Sequence, residues 1–118
     1  MLERPTLPHI VATRRDGSSV DIDLAIQPEL RWFEGHFPMT PILPGVVQVA
    51  WALALGRDCF AIAQPAARCF QVKFKKVVRP DDRVTLTLTH DSGKHRLAFS
   101  FKRDGMVCST GSIALTPP

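Results

Sequence analysis

One stretch of helix length, Gly45 to about Ala63, is rich in Ala, Leu and Val, with Gln48, Arg57 and Asp58 as its polar residues. A helix apolar on nearly every side has to be covered on nearly every side, so the remainder of the chain must wrap it. The flanking segments carry the period of strands. Residues 8–13 are apolar and β-branched, Arg15-Asp16-Gly17-Ser18 supplies a turn, and Val20, Ile22, Leu24 and Ile26 then alternate with Ser19, Asp21, Asp23 and Ala25. Pro28 closes that strand, and Glu29 to Phe33 reads as a helical turn. Beyond Gln64-Pro65, Phe70, Val72 and Phe74 alternate with polar residues. After the turn Arg79-Pro80-Asp81-Asp82, so do Val84, Leu86 and Leu88, and then Leu97, Phe99 and Phe101. Arg103-Asp104-Gly105 is a hairpin signal, and the last strand runs from Met106 to about Leu115. One buried helix with antiparallel strands before and after it predicts an α+β fold in which a sheet wraps a central helix.

Length and composition narrow the class. A chain of 118 residues holds one hydrophobic core and is too short for two, so residues 1–118 are expected to form one domain. A content of 45% hydrophobic and 22% charged residues reads as globular protein, not disorder or fibre. The most apolar run, Val46 to Leu55, is about half of what a bilayer requires. Met1 to Pro5 lacks the charged-then-apolar layout of a secretory signal, so a cytosolic protein without a membrane span is expected. Cys59, Cys69 and Cys108 are odd in number and lack paired metal-ligand spacing, which suggests core thiols and neither a disulfide framework nor a metal site. The net charge of +4 is not concentrated enough to announce nucleic acid. Lys73, Lys75, Lys76 and Arg79 nevertheless fall within seven positions. They form either a solvated strand face or a landing site for an acidic partner.

Chemistry concentrates just before the helix. In Gly35-His36-Phe37-Pro38-Met39-Thr40-Pro41-Ile42-Leu43-Pro44-Gly45-Val46, each Pro fixes its own φ and pushes the preceding residue toward extended geometry. A segment so stiffened can hold the His36 imidazole in place. The same spacing would permit a proline-rich ligand for an aromatic groove, but the segment runs into a buried helix instead of a polar tail. Gly45 opens the helix with no side chain, leaving a positive end on which a carbonyl oxygen could sit.

This run resembles the signature of the hotdog-fold 3-hydroxyacyl-acyl carrier protein dehydratases. Nine positions match: Gly35, His36, Phe37, Pro38, Pro41, Ile42, Pro44, Gly45 and Val46. Downstream, Phe74 to Asp82 is similar to the strand-and-turn segment that follows the family's helix, so the resemblance covers most of the chain from about Trp32 onward. It implies the hotdog architecture, a sheet around a central helix, and no cofactor. It also implies an acyl carrier protein as partner, docking on Lys73, Lys75, Lys76 and Arg79, and a homodimer or higher hotdog oligomer whose tunnel lies between two subunits. The family's His and Gly carry over to His36 as base and Gly45 as oxyanion donor, with Phe37, Pro44, Val46 and Ala50 against the substrate. Imidazole suits the base role because its ordinary pKa lies close to neutral.

One departure stands out. The family carries Glu or Asp fourteen positions after its His, and this chain has Ala50 there. Gln48 lies about 200° round the helix from position 50 and is expected to face away from the family's site. Asp58 is read as a charge near the helix end, and His9, His90 and His95 as surface or strand residues. Three explanations stay open: His36 acts with a bound water, a second polypeptide supplies the acid, or dehydration has been lost. The expected function is dehydration of a 3-hydroxyacyl thioester in fatty acid, lipid A or polyene biosynthesis, similar to the aryl-polyene type of dehydratase, whose assembly pairs related hotdog chains. The alternatives are a non-catalytic hotdog subunit that completes a partner, or a thioesterase using Asp58.

Overall fold

Period-two alternation sorts the strand residues onto two faces, and the inward face builds the core. The computed structural model describes residues 5–33, 41–62 and 65–116, with the backbone alone over 65–70. Within these residues six strands pair antiparallel in one sheet: β1 (His9–Asp16), β2 (Ser19–Ala25), β3 (Pro65–Phe74), β4 (Arg83–Asp91), β5 (Arg96–Arg103) and β6 (Met106–Leu115). Their order is β1-β2-β4-β5-β6-β3, so β1 and β3 are the edges. A 3-10 turn, Arg31–Phe33, and one helix, α1 (Gly45–Cys59), separate β2 from β3.

Register aligns the apolar faces. Val20, Ile22 and Leu24 lie opposite Leu88, Leu86 and Val84, and Leu88 and Leu86 lie opposite Phe99 and Phe101. All these side chains are buried in one cluster with Val47, Trp51, Ala52 and Leu55 of α1. The helix approaches β5 closely: a β-carbon at Gly56 would stand 2.7 Å from Leu97 Cδ2, so glycine there sets how deeply the sheet seats the helix. Between β5 and β6, Asp104 and Gly105 both take positive φ, 52° and 76°, the two-residue turn that the Asp-Gly pair predicts.

The polar face of the same strands is tied across the sheet. Thr87 and Thr85 donate hydroxyl hydrogen bonds to Asp21 and Asp23, and the Arg14 guanidinium forks onto Asp23 at 2.6 and 3.0 Å. These hydrogen bonds, Arg14's first, lower the Asp23 pKa to about 2. A depressed carboxylate stabilises the fold above its ordinary pKa, and that contribution is lost as pH falls through about 2. On the solvent side of the sheet, with Arg14 exposed, the pair is screened by water and adds little.

Two expectations about α1 change. The helix ends at Cys59, short of Ala63, because Phe60 turns extended (φ −132°, ψ 150°) and buries its ring. Arg15 fixes that end, donating to the Cys59 carbonyl at 2.7 Å while its guanidinium covers the Phe60 ring at 4.9 Å. Nor is α1 covered all round: Val46 is 77% exposed, and Ala50, Arg57 and Asp58 are exposed too. Apolar composition cannot separate a helix buried by its own chain from one that leaves a bare apolar face. Phe74 also departs from its expected core position and is 54% exposed at the end of β3.

Candidate active site at the start of the helix

Pro44 precedes α1 in extended geometry (φ −59°, ψ 144°) and supplies no side-chain cap. Its carbonyl instead accepts from the N–H groups of Val47 and Gln48 at 3.1 and 3.3 Å. The N–H groups of Gly45 and Val46 are left without an acceptor among the described residues. Free N–H groups at a helix start form a positive pole that attracts oxygen carrying negative charge.

A cavity of about 300 Å³ opens beside this pole, lined by Ile42, Leu43, Gly45, Gln48, Phe74, Lys75, Lys76 and Val77. A β-carbon at position 45 would stand 2.5 Å from the Phe74 ring, so the space that glycine frees is taken by that ring. Phe74 thereby walls one side of the cavity. Lys75 and Lys76 sit at its rim, their backbone N–H groups both bonded to the Cys108 carbonyl at 2.8 and 3.0 Å. Lys73, Lys75, Lys76 and Arg79 are all exposed, which suits a solvated face and a docking face equally.

Gln48 corrects the expectation drawn for it. It does point away from Ala50, but it shares the cavity of Gly45, because residues three apart occupy one helix face. Its side chain is 2% exposed, with Oε1 accepting from Ser109 Oγ at 2.7 Å and Nε2 donating to the Leu43 carbonyl at 3.4 Å. Measuring Gln48 against position 50 alone hid its relation to Gly45, and the i, i+3 spacing was the signal that could have found it.

Val46 and Ala50 lie on another face and line a second cavity of about 360 Å³ with Thr6, Leu7, Trp32, Val47, Trp51 and Ala54. The indoles of Trp32 and Trp51 both donate to the Thr6 carbonyl, at 2.8 and 2.9 Å, and pin the N-terminal segment over it. One chain therefore does not bring Ala50 to the Gly45 cavity. Pro44 borders neither cavity. His36 and Phe37 lie outside the described residues. Asp58 is exposed in the last turn of α1 and lines neither cavity. Among the described residues no cluster of His, Cys, Asp or Glu could hold a metal ion, and no helix is long and apolar enough to cross a membrane.

Residues 12–112 match the family model described as ApeI-like, ApeI dehydratase. The chain is 33% identical over 94 residues to the 3-hydroxyacyl-acyl-carrier-protein dehydratase FabZ of Sorangium cellulosum, a match covering 70% of this chain and 61% of that one. It is 41% identical over 73 residues to the FabZ of Oenococcus oeni, covering 56% and 52%. The chain thus spans less than two thirds of the length of these relatives. Among solved structures, a chain of the dehydratase heterocomplex ApeI:P from Xenorhabdus doucetiae superposes with a TM-score of 0.83 at 31% identity, over 92% of this chain and 96% of that one. Thioesterase superfamily member 2 of Mus musculus superposes with a TM-score of 0.69 at 8% identity, over 93% and 81% of the two chains, and shares the fold alone.

Proposed function

The chain belongs to the ApeI-like dehydratase family, and from that premise we propose that it removes water from 3-hydroxyacyl thioesters borne by an acyl carrier protein. The observation that carries this reading is the open helix start at Gly45 beside a cavity, reached through the motif that contains His36. In this reaction His36 takes the proton from the carbon next to the thioester carbonyl, and the charge that develops on the carbonyl oxygen is held by the Gly45 N–H. The C–O bond at the third carbon then breaks, and the hydroxyl leaves as water with one added proton. That proton comes from the His36 imidazolium, through a bound water, or from an acid on a second chain. Phe37, Pro44, Val46 and Ala50 are the proposed substrate contacts, and the work is placed in the cytoplasm, in lipid or polyene biosynthesis.

We infer a paired assembly as well. Sheet edges invite a partner, and Ala50 faces outward beside Val46, where a second chain would cover it. A homodimer meets this need. So does a related hotdog chain, a reading favoured by the name of the ApeI:P heterocomplex and by alanine at the carboxylate position. The deciding assay measures hydration of a crotonyl-type thioester against thioester cleavage, for the protein alone and with any co-purified partner. Hydration is expected. Cleavage without hydration would favour a thioesterase, and neither activity in either sample would leave a non-catalytic subunit.

Two variants sharpen the proposal. Where a second chain covers Ala50, Ala50→Glu would place a carboxylate at the tunnel proposed between the two subunits, and partial burial there should raise its pKa toward a general acid's range. Activity of the homodimer is expected to rise, with some loss of melting temperature from desolvating the carboxyl group. If a partner supplies the acid, the variant gains nothing in the complex, while the parent gains strongly on adding the partner. Lys75→Glu with Lys76→Glu should slow carrier-protein association at low salt, and the deficit should shrink as salt screens the field. Equal association rates at low salt would return these lysines to a solvated face.

A further inference from the structure

Gln48 and Ser109 are the buried polar residues of a core that is otherwise apolar among the described residues. Two apolar side chains of similar shape would fill the same space at little or no expense in stability, so folding alone does not call for this pair. Its location suggests what does: the pair sits where the core meets the cavity beside Gly45.

The orientation of the amide is settled by its neighbours. The Leu43 carbonyl at 3.4 Å would repel Oε1, so Nε2 faces Leu43 and Oε1 receives the Ser109 hydroxyl at 2.7 Å. Nε2 carries two hydrogens, and Leu43 accounts for one. The other has no acceptor among the described residues, on a side chain that walls the cavity. Gly45 and Gln48 thus both line one space, three residues apart on α1, and helical side chains lean toward the N-terminus, which is toward Gly45.

We propose that the Gln48 amide is a second substrate-binding donor, selecting acyl groups that carry an oxygen on the third carbon, and that Ser109 is the positioning residue that holds it. This deepens the proposed function and rests on it. With the thioester oxygen on the Gly45 N–H, the second oxygen of a 3-hydroxyacyl group lies two carbons along the chain, and the free Nε2 hydrogen meets it one turn down the helix. A neutral amide holds that oxygen and gives it no proton, so the contact sets binding and selectivity and leaves the source of the acid unchanged.

The test titrates two non-hydrolysable amide analogues, 3-hydroxybutyryl-pantetheine and butyryl-pantetheine, into the purified parent and its variants, with melting temperatures measured alongside. The parent is expected to bind the hydroxyl compound more tightly. Gln48→Leu should weaken that compound by about 3- to 10-fold, to the level of butyryl-pantetheine, whose affinity stays put. Ser109→Ala should give a smaller loss confined to the hydroxyl compound, and Ser109→Thr, which keeps the hydroxyl, should restore it. The double variant Gln48→Leu, Ser109→Ala removes the Ser109 hydroxyl that the single variant would leave unpaired and keeps the test valid if the single variant folds poorly. Equal binding of both analogues by the parent, or an equal loss of both in the variants, overturns the assignment while leaving an acyl-binding protein in place. Binding of neither analogue by the parent overturns the dehydratase reading and this inference with it.

Discussion

His36→Ala is expected to lower dehydratase turnover by about 10²- to 10⁴-fold, the usual worth of a positioned acid-base group. The melting temperature should move little, because the imidazole is proposed to act at a cavity and not to fill the core. If the proton that His36 removes is the one that leaves with water, a single residue serves both halves of the reaction, and no other side chain of this chain could compensate. Initial rates of hydration and dehydration with an acyl-pantetheine substrate measure the effect. Wild-type rates in the variant would remove His36 as the base. A fall confined to the protein lacking a partner chain would show that the assembly, and not this imidazole, limits the reaction.

Trp51→Ala is expected to have the largest effect on stability, about 3–5 kcal/mol, the range for removing a buried aromatic side chain. Trp51 is 2% exposed in the core cluster, and its indole N–H holds the Thr6 carbonyl at 2.9 Å. Truncation loses that burial, opens a void in the core cluster, and leaves Trp32 alone on Thr6. Trp51→Phe separates the contributions: it keeps most of the apolar volume and forfeits the hydrogen bond, for about 1 kcal/mol. Denaturant unfolding of the three proteins measures both steps. A loss below about 1 kcal/mol in Trp51→Ala would mean that the N-terminal segment and the helix do not lock each other.

The strands were legible because each carries its own evidence. Val20, Ile22 and Leu24 in β2, Val84, Leu86 and Leu88 in β4, and Leu97, Phe99 and Phe101 in β5 alternate with polar residues, and all nine are buried. Alternation on a pleated strand is a local property, set by side chains that point to opposite faces. The start of α1 was legible for the same reason, since Pro44 and Gly45 act on their own backbone. The helix end was not, because Ala61 and Ile62 would tolerate helix, and the stop comes from Arg15 and the burial of Phe60, partners distant along the chain.

The candidate site divides along the same line. The residue types that dehydration requires, the imidazole of His36 and the side-chain-free Gly45, are written in one short run, and so is the alanine that replaces the usual carboxylate. Which of these residues share a space depends on helix phase and on what packs against each face. Phase alone separated Gln48 from Ala50. Only the folded sheet could bring Ser109 of β6 onto Gln48 and Phe74 of β3 onto Gly45, while leaving Val46 and Ala50 bare. Backbone preference and periodicity act over a few residues and are therefore readable in order along the chain. The cavity beside Gly45 is made by residues of α1 and β3, distant along the chain, whose meeting is decided by strand order, and strand order is a property of the whole core.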